Sequence, residues 1–264
     1  MDYAAFKTVL ISRRDRILTV TLNRPEKFNA IDATMHSELS RLFYEINRDR
    51  SVDIVILTGA GKAFSAGGDV EWLQSMIDDP WEWEVLTEEA KGVVMSILEC
   101  RQPVICKLNG AAAGLGATIA LACDVVFGSD KAVIGDPHVK VGFAAGDGGT
   151  ALWPFLIGYA RAREFLYTGE LLTAQKAADI GLINHCVPAD QLDSRVEAFA
   201  DQLANGAIRA IQWTKRAING PLKRIAAENL DMSLALEAKS NITADHQEGV
   251  NALREKRKPR FTGK

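Results

Sequence analysis

Paired cysteines are missing from this chain. The four it has, Cys100, Cys106, Cys123 and Cys186, stand in apolar surroundings with no paired spacing. Neither a disulfide framework nor a zinc site is indicated, and reduced thiols point to the cytoplasm. Long apolar runs are missing too. No stretch approaches the roughly 20 residues of a membrane helix, and residues 1–16 lack the apolar core of a secretory signal. There is no basic surplus: 31 Lys and Arg face 34 Asp and Glu, for a net charge of -3. A nucleic-acid binder, which usually carries a basic face, is therefore not expected. A dinucleotide fingerprint is also absent, because Gly59-Ala-Gly-Lys62 continues wrongly for either a Rossmann turn or a phosphate loop.

What remains is enough for one sizeable core, with 47% hydrophobic residues in 264. Residues 8–12 and 17–23 read as a hairpin across the polar turn 13–16. Asp32 is placed to cap a helix whose inner face is Leu39, Leu42, Phe43 and Ile46. Residues 53–58 and 103–108 are short apolar runs that read as buried strands, and 124–127, 132–135 and 182–187 read as further strands. Helices are expected over 70–76, 84–100, 117–123, 150–156, 161–166 and 174–179, the last capped by Thr173. Residues 78–83 read as an irregular insert. From 190 to about 254 the pattern is helical, with a break expected at Pro221. The basic tail 255–260 reads as a solvated terminus or a phosphate contact. The order predicts an α/β core with right-handed crossovers. Residues 1–190 form that core and 191–264 a helical region that packs on another subunit.

Two glycine loops follow buried strands: residues 59–69, ending Ala66-Gly-Gly-Asp69, and residues 109–116, ending Ala113-Gly-Leu-Gly116. The second opens a helix of small apolar residues, whose free N–H groups favour negative charge. Two backbone N–H groups about 3 Å from one oxygen form an oxyanion hole, worth roughly 3–4 kcal/mol per donor. Small residues let a carbonyl approach them.

These loops, together with Asn23-Arg-Pro-Glu-Lys-Phe-Asn-Ala30, residues 57–69, 103–124, Leu166-Tyr-Thr-Gly-Glu170 and 174–187, make the chain similar to the crotonase superfamily, the enoyl-CoA hydratases/isomerases. The resemblance covers almost the whole chain. It implies a spiral of ββα units, a C-terminal helical trimerisation region, and a homotrimer or dimer of trimers. It also implies an acyl-CoA substrate whose thioester carbonyl sits between the N–H groups of Gly68 and Leu115. CoA and substrate contacts fall by motif on Lys27, Phe28, Ala30, Lys62, Ala66, Gly67, Asp69 and Thr118. No metal and no cofactor are implied beyond the CoA of the substrate.

The hydratases of this superfamily use two glutamates, and here Thr118 and His138 stand at those positions. A threonine hydroxyl is no general base near neutral pH, and Thr118 reads as helix packing. Histidine titrates near neutrality. Asp147, in the next glycine-rich turn, is placed to orient it, and Asp136 is a competitor for that role. The spacing Pro-His…Gly-Asp-Gly resembles a branch of the superfamily that hydrolyses carbon–carbon bonds of β-diketones. Three functions stay open. One is enolate chemistry on an acyl-CoA with His138 moving the proton. The second is C–C or thioester hydrolysis by His138 and Asp147. The third is a non-catalytic acyl-CoA- or RNA-binding role, with the acidic pI against RNA. His36, His185 and His246 read as structural. Trp72, Trp81, Trp83 and Trp153 are assigned to packing ahead of a role in the acyl pocket or subunit contacts.

Overall fold

The computed structural model describes residues 3–264. Strands β1 (Val9–Arg14) and β2 (Ile17–Leu22) pair antiparallel. Their turn is tighter than the expected 13–16, because Arg13 and Arg14 stay in register with Leu18 and Ile17 and Asp15 turns the chain at φ 53°. β2 leads into a parallel array with β3 (Ile54–Gly59), β5 (Val104–Leu108), β7 (Val125–Ser129) and β10 (His185–Val187). The six-stranded order is β1-β2-β3-β5-β7-β10. Every residue of β3 is buried, as expected of a parallel strand covered on both faces.

A second sheet, not expected from the sequence apart from its strand at 133–135, has its first two strands within the glycine loops. Its strands are β4 (Ala63–Ser65), β6 (Ala111–Ala113), β8 (Val133–Gly135) and β9 (Leu171–Thr173), in the order β4-β6-β8-β9. Strands of three residues are too short to display a period of two. β4, β6 and β8 each follow a longer strand, so β3-β4, β5-β6 and β7-β8 are successive ββ pairs, each continuing into a helix, while β9 follows the helix at 149–168. This is the crotonase-like spiral of ββα units, with a C-terminal helical region.

Helices fill the outside. In α1 (Ala33–Arg48) Asp32 caps the first turn, accepting from Met35 N at 2.9 Å, and Leu39, Leu42, Phe43 and Ile46 are buried. Each such side chain contributes about 1.5–3 kcal/mol by burial. α2 (Val70–Asp78) and α3 (Trp83–Glu99) follow, joined by a short 3-10 turn. α4 (Leu115–Ala122) is buried along its whole length and starts two residues before the apolar run suggests. α5 (Gly149–Thr168) joins the two expected helices 150–156 and 161–166, with a kink at Gly158. α6 (Ala174–Asp179) is capped by Thr173 as expected.

α7 (Leu192–Ala204) packs Val196 and Ala200 against the six-stranded sheet beside Ile54, Ile56 and Ile105. α8 (Ile208–Asn241) runs 34 residues and does not break at Pro221. The expected break is wrong because the rest of the helix is anchored. Lys215 donates to the Ile97 and Gln102 carbonyls, Asn219 to Leu98 O, and Leu230 and Leu234 pack against α3. Those contacts outweigh the one backbone hydrogen bond that proline removes. α9 (Ala244–Arg254) ends the helical region. Among the described residues no helix is long and apolar enough to cross a membrane.

Candidate active site

Pairing of β4 with β6 brings the two glycine loops side by side. Gly67 has φ 88°, and a Cβ there would lie 2.7 Å from Ala113 O. Only glycine allows this turn and this approach together. The first loop is pinned from the other side. Ala66 N donates to Phe28 O at 3.0 Å, Ile31 N to Gly67 O at 2.7 Å, and Asp69 N to Ile31 O at 2.9 Å. The N–H groups of Gly68 and Leu115 donate to no acceptor among the described residues, and Leu115 is the first residue of α4. Both residues line a cavity of about 420 Å³.

The same cavity receives His138. β8 ends at Gly135, and Asp136 then turns the chain, its Oδ1 accepting from His138 N at 3.3 Å and bonding the ring at Nδ1. Asp136, not Asp147, is therefore the carboxylate that orients the imidazole through Nδ1. Asp147 faces the opposite nitrogen, its Oδ2 3.4 Å from Nε2. Its Oδ1 accepts from the Thr118 hydroxyl at 2.9 Å. Thr118 thus does more than pack α4: it sets the rotamer of Asp147.

A third carboxylate completes the cluster and was not foreseen. Glu237 on α8 places Oε1 3.9 Å from His138 Nε2. It is 3% exposed, and its Oε2 has no hydrogen-bond partner. The glycine-rich turn makes room for it: a Cβ at Gly146 would lie 2.6 Å from Glu237 Oε2 and 2.5 Å from Ser233 O. Ser233 Oγ donates to Gly146 O at 2.7 Å, tying α8 to the turn. No short-range motif signals Glu237, which lies 90 residues or more from the rest of the cluster. The only sequence clue is an acidic residue on the apolar side of a long helix, beside Ser233 and Leu234.

The charges in this cluster are strongly coupled. Burial alone would push the His138 pKa down, but Asp136, Asp147 and Glu237 together hold it well above the ordinary histidine value. Burial raises Asp147, and the neighbouring His138 only partly offsets this. Burial and the charge of Asp147 raise Glu237 well above the ordinary carboxylate value. The cluster retains protons at pH values where isolated carboxyls would have lost them. Donor atoms of Asp136, His138 and Asp147 lie within 4.8 Å of one another, close enough to suggest a cation site. Asp136 and Asp147 approach opposite nitrogens of one ring, however, and Nδ1 is already bonded by Asp136. The arrangement can pass a proton between the ring and a carboxylate.

The other expected contacts divide. Ala66 and Gly67 line the cavity. Lys27, Phe28 and Lys62 are exposed, Ala30 is buried, and none of the four is on the cavity wall. Asp69 is used within the protein: it caps α2, accepting from Glu71 N at 3.0 Å, and pairs with Arg24 at 3.2 Å. Thr118 lies behind Asp147, away from the wall. Trp72 and Trp83 line the cavity, Trp153 is fully buried, and Trp81 is exposed. His246 is structural, bonding Val141 O through Nδ1 and stacking on Phe143. His36, expected to be structural, is on the cavity wall. The basic tail folds back on α9: Arg257 pairs with Glu248, Thr262 N and Gly263 N donate to Asp245, and Lys258 and Pro259 line the cavity.

A two-sheet ββα spiral that sets two free amides and a buried imidazole–carboxylate cluster on one cavity defines an enzyme of the crotonase superfamily. Residues 12–264 match the family model described as enoyl-CoA hydratase/isomerase, and the chain belongs to that family. It is 33% identical over 250 residues to the 1,2-epoxyphenylacetyl-CoA isomerase of Escherichia coli, covering 94% of this chain and 95% of that one. A crystal structure of an enoyl-CoA hydratase/isomerase from Mycobacterium paratuberculosis superposes with a TM-score of 0.90 at 32% identity, over 94% of this chain and 99% of the other. A β-diketone hydrolase from the cyanobacterium Anabaena sp. PCC 7120, bound to (S)-3-oxocyclohexyl acetic acid, gives a TM-score of 0.85 at 32% identity, over 91% and 96% of the two chains.

Proposed function

We propose that this protein acts on an acyl-CoA thioester through an enolate. The carbonyl oxygen is held by the N–H groups of Gly68 and Leu115, and His138 moves the proton. The observation that carries the reading is the placement of His138 on the same cavity as those two amides. Negative charge that develops on the oxygen is stabilised by preorganised donors. Asp136 fixes the ring through Nδ1, so the transferring nitrogen is Nε2, which faces Asp147 and Glu237. Two-glutamate hydration is not supported, because Thr118 offers no acid or base and its hydroxyl is engaged by Asp147. The protein's own groups suffice for this chemistry, so no cofactor or metal is proposed beyond the CoA of the substrate. The same reading takes a homotrimer or dimer of trimers, working in the cytoplasm.

A second reading is favoured by one observation: Asp136, Asp147 and Glu237 gather around the single ring of His138. A hydratase needs an acid and a base across a double bond, whereas hydrolysis of a β-diketone can use one cluster twice. Water activated by the cluster adds to one carbonyl and the C–C bond breaks. The electron pair passes to the enolate of the other carbonyl, which regains the proton from the cluster. One carboxylic acid and one ketone result, with atoms balanced.

The test compares wild type, His138→Ala and Thr118→Ala on crotonyl-CoA and on a β-diketone. His138→Ala is expected to lose about 10²–10⁴-fold in kcat on whichever substrate turns over, and Thr118→Ala less. Full turnover by His138→Ala on every active substrate overturns the assignment. If CoA binds and neither substrate reacts, the protein is an acyl-CoA-binding member without catalysis.

A further inference from the structure

We infer that His36 forms a second polar subsite in the cavity, which takes a hydroxyl on the part of the acyl group remote from the reacting carbonyl. The inference rests on the reading that the cavity takes an acyl group. His36 belongs to α1, is 2% exposed, and lies on the cavity wall among Trp72, Met76, Leu86 and Ala90. Its ring is 5.1 Å from that of Trp72. Glu89 on α3 lies 2.9 Å from Nδ1, and no described residue bonds Nε2.

A polar ring on an apolar wall is costly unless its polar atoms are partnered. A tie between α1 and α3 needs only Nδ1; it gains nothing from a ring that opens on the cavity. Burial works against the Glu89 charge, but its bonds to His36 and Ser37 hold its pKa below the ordinary value. Nδ1 is thus engaged by the Glu89 carboxylate, and Nε2 is the ring atom left for a ligand. A single polar atom in an apolar wall selects a small neutral polar group, and among acyl groups a hydroxyl fits, because it can either donate to a ring nitrogen or accept from it. His36 lines the same cavity as Gly68, Leu115 and His138, so a substrate with its carbonyl at the two amides shares that space with the His36 ring. Trp83 supports the same picture: on the same wall, its indole N–H is buried without a partner, a second polar atom in a lining that hydrocarbon alone would not require.

Calorimetric titration of the full-length protein with hexanoyl-CoA and with its 4-, 5- and 6-hydroxy derivatives tests this directly. At least one hydroxy ester should bind wild type about 10-fold more tightly than hexanoyl-CoA, the scale of one buried hydrogen bond. His36→Leu should abolish that preference, and His36→Gln should retain part of it. Equal binding of all four esters by wild type overturns the inference whether or not the variants fold, and so does a preference that survives in His36→Leu. In those outcomes the acyl-CoA reading stands. Failure of all four esters to bind sinks that reading and this inference with it.

Discussion

At Glu237 a single oxygen separates charge from shape. Glu237→Gln keeps the side chain's size and removes its ionisation. In the native protein this carboxyl holds its proton well above the ordinary value of 4.5, so above that pH the folded state binds more protons than the unfolded chain. Stability therefore falls as pH rises from that value through the folded pKa. Asp147 and His138 are also raised, so their contributions carry the same sign; that of His138 is full below its ordinary 6.5 and is lost as pH rises through its folded pKa. Glu237→Gln should flatten the decline of Tm between about pH 5 and pH 8 and raise Tm at the alkaline end. A thermal melt series at matched ionic strength reads this, and an unchanged slope would show that Glu237 is already ionised. Thr118 gives a second residue-scale prediction. Thr118→Val keeps the packing of α4 and deletes the hydroxyl that holds Asp147 Oδ1. Loss of a hydrogen bond to a charged group costs about 1.5–3 kcal/mol, so kcat should drop roughly 10–100-fold. A kcat equal to wild type would leave Thr118 as packing alone.

Among the elements, α8 carries the largest departure from expectation. Proline in a helix interior costs about 3 kcal/mol against alanine, and Pro221 reads in sequence as a stop. The helix nevertheless continues for 20 residues beyond it, and that continuation delivers Ser233 and Glu237 to the glycine-rich turn. Pro221→Ala should therefore raise stability, by roughly 1–3 kcal/mol, because nothing downstream needs the break. Chemical denaturation checks it, and no gain would mean that the ring stiffens the unfolded chain as much as it strains the helix.

What could be read in advance follows from locality. The Asp32 and Thr173 caps, the buried strand β3 and the two glycine loops are written in a few adjacent residues, and they stand where expected. The run 132–135 announces β8, but the three-residue strands β4, β6 and β9 carry no period, and they exist because their neighbours pair with them. His138 and Asp147 stand nine residues apart around a recognisable turn, so they could be named together. Asp136 lies on the same turn, but which carboxylate takes Nδ1 is a matter of backbone geometry that spacing does not encode. Glu237 and His36 come to the cavity from helices at opposite ends of the chain, and only tertiary packing brings them there.

For the molecule as a whole, the apolar surface of α8 poses the remaining question. Trp213 is 68% exposed, Ile218 69% and Met232 62%, on a helix whose other face is buried against α3 and α5. Single exposed apolar residues are ordinary, but several along one helix favour association. The proposed trimer or dimer of trimers would cover such a surface. Light scattering coupled to size exclusion should then give three or six times the chain mass of 28.8 kDa. Trp213→Asp with Ile218→Asp should shift the protein to smaller species, because a carboxylate buried in an apolar interface is left without a partner. Neither residue lines the cavity. If the shifted species keeps its fold and its CoA-ester affinity, assembly and catalysis are separable; if affinity falls with assembly, a neighbouring subunit helps to form the site. A monomeric wild-type protein would remove the association argument and leave the exposed face of α8 unexplained by it.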